Sequence, residues 1–214
     1  MEPKRRGRPP QVDPEEVART AVRMFVDQGF DDVTMDDVAR EVGVNRRTLF
    51  RYFPSKNELV WGGSAEALER VQRELRDVSP REDPFRAAQD AYVRSLVFPE
   101  EALEVTRQRL VLIASSEALS AFGVTNRERM RQAIATFLAD RGGFEGNSLE
   151  VMMRSAALVD GGHAAMLWWA RFGEGPPAAL VEKALGLQGG LLDEARAVGD
   201  TAGVPLHMGD RSSG

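Results

Sequence analysis

The chain is predicted to be all-α, a small N-terminal three-helix head joined to a larger helical body, and three observations predict it. Apolar residues recur at three- and four-residue spacing from Val17 onward, no stretch alternates as a half-buried strand does, and Pro or Gly breaks cut the chain into helix-length pieces. With 214 residues and 43% hydrophobic composition there is material for two cores. Cysteine is absent, which excludes a disulfide framework, a thiolate metal site and a Cys nucleophile. No secretory signal opens the chain and no apolar run reaches the ~18 residues of a membrane span, so a cytoplasmic protein without a membrane partner is expected.

Residues 1–12 form a basic arm, Lys4-Arg5-Arg6-Gly7-Arg8-Pro9-Pro10, that cannot build a core and should be flexible when free. Helix one is expected over 14–28, with Asp13 as cap, Pro14 at its first position, Gly29 as its end, and Val17, Ala21, Met24 and Phe25 facing inward. Phe30 and Val33 plug the same core. Thr34 then caps a second helix with Asp36 and Asp37 in its first turn, where the positive dipole end favours acids. Gly43 follows the last apolar position as a left-handed turn residue, and Asn45 caps a third helix from Arg46. Two short helices joined by so tight a turn make a helix-turn-helix, whose second helix enters a DNA major groove.

Charge agrees with that placement. The net charge is −5, yet residues 1–57 carry 11 Lys and Arg against 10 Asp and Glu, and residues 45–57 carry four cations and no acid. The remaining residues carry 17 cations against 23 acids, so DNA contact should be confined to the head. Arginine suits base reading because its planar fork spans both acceptors of a guanine edge. Arg46 and Arg47 diverge by about a third of a turn on a helix, so one should reach bases and the other the backbone, in either order.

Residues 34–59 closely resemble the helix-turn-helix of TetR-type (TetR/AcrR) regulators, in which the run after the turn ends in two aromatics and a Lys opens the next helix. Phe50, Tyr52 and Lys56 stand in those places, with Leu49 and Phe53 as core anchors. The resemblance implies that Arg46, Arg47 and Thr48 face bases and that Thr34, Tyr52 and Lys56 hold phosphate of double-stranded DNA. Phe50 stands where the family more often has Tyr, which leaves packing or a thymine-methyl contact in place of a phosphate hydrogen bond. Arg5, Arg6 and Arg8 fit two readings: a hook into a narrow minor groove, as in homeodomain arms, or a solvated tail adding unspecific attraction.

With the arm set aside, the head spans 13–57, the body 58–198, and residues 199–214 read as a flexible tail. Ser55 should cap a long helix from Lys56 to about Val78, a lever shared by head and body, interrupted by Trp61-Gly62-Gly63 where a bend or close helix contact is expected. Trp61 reads as interdomain packing. Further helices are expected at about 83–97, 100–115, 117–140, 148–171 and 177–195, divided by Pro80, Pro84, Pro99, Gly142-Gly143 and Gly173 to Pro177. Residues Leu149 to Phe172 are apolar on nearly every side and therefore buried on more than one face. By the resemblance, this helix and the one after it form a four-helix homodimer interface, with Gly161, Gly162, Ala164 and Ala165 at the two-fold axis.

A small-molecule effector is a further implication of the family. Phe98, Leu112, Phe122, Phe137, Met153, Met166, Trp168 and Trp169 are candidate lining residues, since Met and aromatics reshape around apolar guests. The arm, the run from Arg51 to Asn57 and Trp61-Gly62 particularly resemble the mycofactocin-system branch. That branch implies an acyl-type or redox-metabolism effector, for example an acyl-coenzyme A, its phosphates meeting Arg107, Arg109 or Arg171. No cofactor or metal is expected. Asp160 and His163 share a helix face and could form an acid–base pair, but one imidazole without ligand spacing argues for a satisfied packing histidine and against an enzyme. The reading is a dimeric repressor released from a palindromic operator by its effector; the alternative is a ligand-independent architectural DNA-binding protein.

Overall fold

Asp13 accepts from the Glu15 amide, Pro14 occupies the first turn, and α1 runs Pro14–Gln28 as its capping chemistry requires. The computed structural model describes residues 13–143 and 148–187; among them every regular element is helical. Thr34 and Asn45 cap α2 (Met35–Glu41) and α3 (Arg46–Tyr52), and Gly43 takes the left-handed turn between them at φ 69°. Ser55 caps α4 (Lys56–Val60). The body follows as α5 (Ser64–Arg76), α6 (Pro84–Arg94), α7 (Glu100–Ser115), α8 (Glu117–Phe122), α9 (Val124–Gly142) and α10 (Leu149–Phe172), and residues 178–187 are helical as well.

Two buried clusters organise the chain. One holds Val17, Ala21, Phe25, Val33, Val38, Leu49, Phe53 and Leu59 of the head, but also Ile113 of α7 and Leu119 of α8. The head core is therefore completed by the body, so α7 and α8 are its floor. Met24, expected inward, is only partly buried beside Ala18 and Val22, which are fully buried. The second cluster gathers Val71, Leu75, Ala88, Ala91, Tyr92, Ile134, Leu138, Leu158, Val159 and Trp169 from α5, α6, α9 and α10.

The expected single helix from Lys56 to Val78 is two helices. Trp61-Gly62-Gly63 forms a turn between them, and a Cβ at Gly62 would lie 2.9 Å from that of Ala18, so α1 presses against the joint where a side chain would not fit. The expected helix 117–140 is likewise α8 and α9, divided at Gly123. At this second break the Trp61 indole lies where a Gly123 side chain would be, and its Nε1 donates to the Leu119 carbonyl at 2.9 Å. The expected 83–97 helix stops at Arg94, its last turn capped at Ser95. The arm, the tail and residues 188–195 of the expected 177–195 helix lie outside the described residues.

Candidate DNA-binding face and ligand cavity

Thr34 and Asp37 close a reciprocal cap on α2. The Thr34 amide and hydroxyl both donate to Asp37 Oδ2, at 3.0 and 2.5 Å, while the Asp37 amide donates back to Thr34 Oγ1 at 3.2 Å. These donors, chiefly the hydroxyl, with Arg40 beside them, hold the Asp37 carboxyl down at about 2. The Thr34 hydroxyl, expected to reach phosphate, is thus committed to the helix cap.

On α3 the two arginines differ. Arg46 Nη1 donates to Asp36 of α2 at 2.6 Å while its guanidinium lies over the Phe50 ring, 5.1 Å from the centroid. Arg47 is exposed and makes neither an ion pair nor a side-chain hydrogen bond among the described residues. Thr48 is half-buried, its amide taken by Asn45 at 2.8 Å, and Leu49 is fully buried as the anchor it was read to be. Tyr52 is exposed, and its hydroxyl accepts from Arg51 Nη2 at 3.2 Å.

Lys56 departs most from expectation. Its ammonium donates to the carbonyls of Phe30 at 2.6 Å, Val33 at 3.0 Å and Asp31 at 3.4 Å, and sits 4.6 Å above the Phe30 ring. The loop between α1 and α2 leaves those carbonyls without helical partners, and a lysine reaching back from α4 supplies them. It is a staple of the head in the DNA-free protein. Arg5, Arg6 and Arg8 lie outside the described residues.

Inside the body, a cavity of about 190 Å³ opens beneath the joint between α4 and α5. Trp61, Gly63 and Ser64 of the joint form one wall, and Phe98, Met130 and Met166 line an apolar side. Of the eight apolar residues expected to line a ligand site, Phe98 and Met166 do so. Leu112 packs against the head core, Phe122 and Phe137 turn elsewhere, and Trp169 is fully buried with Nε1 donating to the Gly175 carbonyl at 2.8 Å. Met153 and Trp168 are on the outer face of α10, more than half exposed. The sequence signal they carried was apolarity, which does not distinguish a cavity wall from a core or an outer face.

The cavity also holds residues that apolar patterning missed: Tyr92, whose phenol burial pushes up, Arg70, Arg127 and His163. Burial, then the nearby Arg127 guanidinium, holds His163 down at about 4, against the smaller pull of Asp160, so its ring is neutral near pH 7. Asp160 bonds Arg131 at 3.1 Å and lies 4.0 Å from Arg127. The Asp160–His163 acid–base pair is not assembled. Of the arginines expected to meet phosphates, Arg107 is taken by the carbonyls of Trp169, Ala170 and Gly173, and Arg171 by that of Ala114. Only Arg109 faces the cavity. The outer face of α10 displays Leu149, Met153, Trp168 and Phe172, whereas Gly162, expected on the two-fold axis, is buried against the Tyr92 ring within the same chain.

Comparison with known proteins follows this division of the chain. Residues 18–60 match the pattern of bacterial regulatory proteins of the tetR family, and residues 82–191 match the MftR C-terminal domain. A protein of Mycobacterium tuberculosis named as a mycofactocin biosynthesis transcriptional regulator, MftR, is 33% identical over 151 residues, 71% of this chain and 75% of the relative. The fold is shared with a TetR-family regulator of Syntrophomonas wolfei (TM-score 0.59, 13% identity, 83% of this chain and 94% of that one). It is shared also with FadR of Thermus thermophilus, a TetR-family repressor solved with lauroyl-CoA (TM-score 0.55, 21% identity, 82% of this chain and 92% of that one).

Proposed function

Because the chain belongs to the TetR family of bacterial transcriptional regulators, we propose that it acts as a dimeric repressor whose α3 helices read a palindromic operator until a small effector enters the body cavity. The observation that carries this reading is the position of the cavity. Its wall includes Trp61, Gly63 and Ser64, the joint that ties α4 and the head to α5 and the body. An occupant that displaces this wall moves the head, since α4 is packed into the head core through Leu59 and Val60.

DNA contact is assigned to α3 through Arg46, Arg47, Thr48 and Phe50, with Tyr52 beside them, and to the arm through Arg5, Arg6 and Arg8. Dimerisation is assigned to the outer face of α10, where Trp168 and Phe172 are 52% and 66% exposed, more apolar surface than a lone helix ordinarily leaves in water. Acyl compounds, as coenzyme A thioesters and as free acids, are the first effector class to test, since the Phe98, Met130 and Met166 side suits an acyl chain and the Thermus relative was solved with lauroyl-CoA. The site of action in this reading is the cytoplasm.

The test is selection of DNA from a random pool by the purified protein, repeated with a panel of acyl-coenzyme A species and free acids. A recovered palindrome whose binding is lost with one panel class supports the reading. Binding that ignores every member of the panel supports the ligand-independent architectural protein instead.

A further inference from the structure

Among the described residues, three arginines and no carboxylate line the cavity, and its one histidine is neutral. Two of the arginines are occupied. Arg70 donates through Nε to the Ser95 carbonyl at 3.0 Å and lies over Phe98, and Arg127 faces His163 Nε2 at 3.4 Å with Asp160 behind it.

Arg109 is different: its Nε and Nη2 are buried and have no hydrogen-bond partner among the described residues. Burial pushes its guanidinium below the ordinary value, and Glu15 and Glu66 pull the other way from beyond ion-pair distance. A guanidinium stays charged at neutral pH, so this site holds a cation with no ion-pair partner among the described residues and two donors to spare. The Arg109 Nη1 lies so close to the joint that a Cβ at Gly63 would come within 2.6 Å of it. There α5 begins without a side-chain cap, which adds the positive end of a 13-residue helix to the same corner.

We propose that the cavity seats a small carboxylate with an apolar body, its two oxygens on Arg109 beneath the joint and its hydrocarbon along Phe98, Met130 and Met166. A carboxylate matches the guanidinium fork in shape and charge. A thioester carbonyl carries no charge to offset Arg109, and a cavity of about 190 Å³ falls below the ~300–1,000 Å³ of ordinary ligand sites, too small to enclose a coenzyme A. Seated there, the anion bonds the side chain that lies against the joint at Gly63. The proposal deepens the effector reading and rests on it only for the consequence of binding.

The test uses the full chain and calorimetric titration with hexanoate, octanoate and phenylacetate, their methyl esters, octanoyl-coenzyme A and inorganic phosphate. Saturable binding of at least one acid, at least tenfold tighter than its ester and lost in Arg109→Met, is the expected result. Equal affinity for acid and ester, an Arg109→Met protein that binds the acid as the wild type does, or no acid binding up to about 10 mM overturns it. Phosphate binding equal to that of the acids also overturns it, because the apolar side then contributes nothing. The acid-against-ester comparison on the wild type stands even if Arg109→Met fails to fold. Operator release is measured separately: octanoyl-coenzyme A that releases DNA while no free acid binds leaves the repressor reading intact and ends this one. An acid that binds without releasing DNA does the reverse.

Discussion

A single residue can be claimed by folding and by binding at once, and Lys56 shows which claim prevails before DNA arrives. Its three carbonyl acceptors and the Phe30 ring fix the loop between α1 and α2. Lys56→Ala is expected to cost about 1.5–3 kcal/mol of stability, the range for hydrogen bonds to a charged group, read from the urea midpoint. If stapling is its whole contribution, the salt slope of DNA binding is unchanged in that variant; a slope shallower by about 0.9 identifies a phosphate contact as well. Arg46 sits in the opposite situation, an exposed cation that the proposed reading assigns to DNA, restrained by Asp36 at 2.6 Å. Asp36→Ala removes a negative charge and frees the fork. Affinity for random duplex should rise and its salt slope steepen, while preference for the selected palindrome falls because the arginine is no longer aimed. Binding to random and selected duplex that changes by the same factor contradicts the aiming role.

The helices show what local chemistry decides and what it leaves open. Asp13, Thr34, Asn45 and Ser55 each cap the helix expected of them, and Gly43 turns where expected, because a cap is settled by residues two or three positions away. The joint at 61–63 was legible as a bend or close helix contact, though not as the end of a helix, and the break at 123 was not legible. At 123 the break coincides with Trp61 meeting Leu119 and Gly123, residues some 58 positions or more along the chain, and at the joint α1 closes on Gly62 through Ala18; no periodicity reports either meeting. The cavity stayed hidden for the same reason, since its arginines come from α5, α7 and α9. Two outcomes test this division. The Asp37 carboxyl, held at about 2 against an ordinary 3.8, contributes stability that is complete above the ordinary value and is lost as pH falls from about 4 towards 2. Thr34→Ala should remove most of that acid dependence and lower stability by about 0.5–2 kcal/mol at neutral pH, as for a lost cap. Gly62→Ala should destabilise by about 1–3 kcal/mol, because the added methyl meets Ala18 at 2.9 Å where α1 packs on the joint.

At the scale of the whole molecule the question is how an occupant of the body cavity is felt at α3. The head core is closed by Ile113 and Leu119 of the body, so the head does not swing as a free domain. The motion available is a shift of α4 about the Trp61–Gly63 joint, and a shift of this kind matters most when two heads must match two half-sites at once. Coupling of that type is reciprocal: an effector that weakens operator binding a hundredfold must itself bind a hundredfold more weakly to the operator complex, a difference of about 2.7 kcal/mol. Titrating the effector with and without saturating operator measures it, and equal affinities exclude release by this route. Trp168→Glu places a charge on the exposed apolar face of α10 and is expected to give monomers by sedimentation. If head spacing is what the effector changes, the monomer should bind a half-site weakly and almost indifferently to effector, although it still binds the effector in its cavity. If the effector acts on α3 itself, the monomer should keep the wild-type ratio of half-site affinities with and without effector. The two outcomes separate a spacing mechanism from a direct one with a single variant.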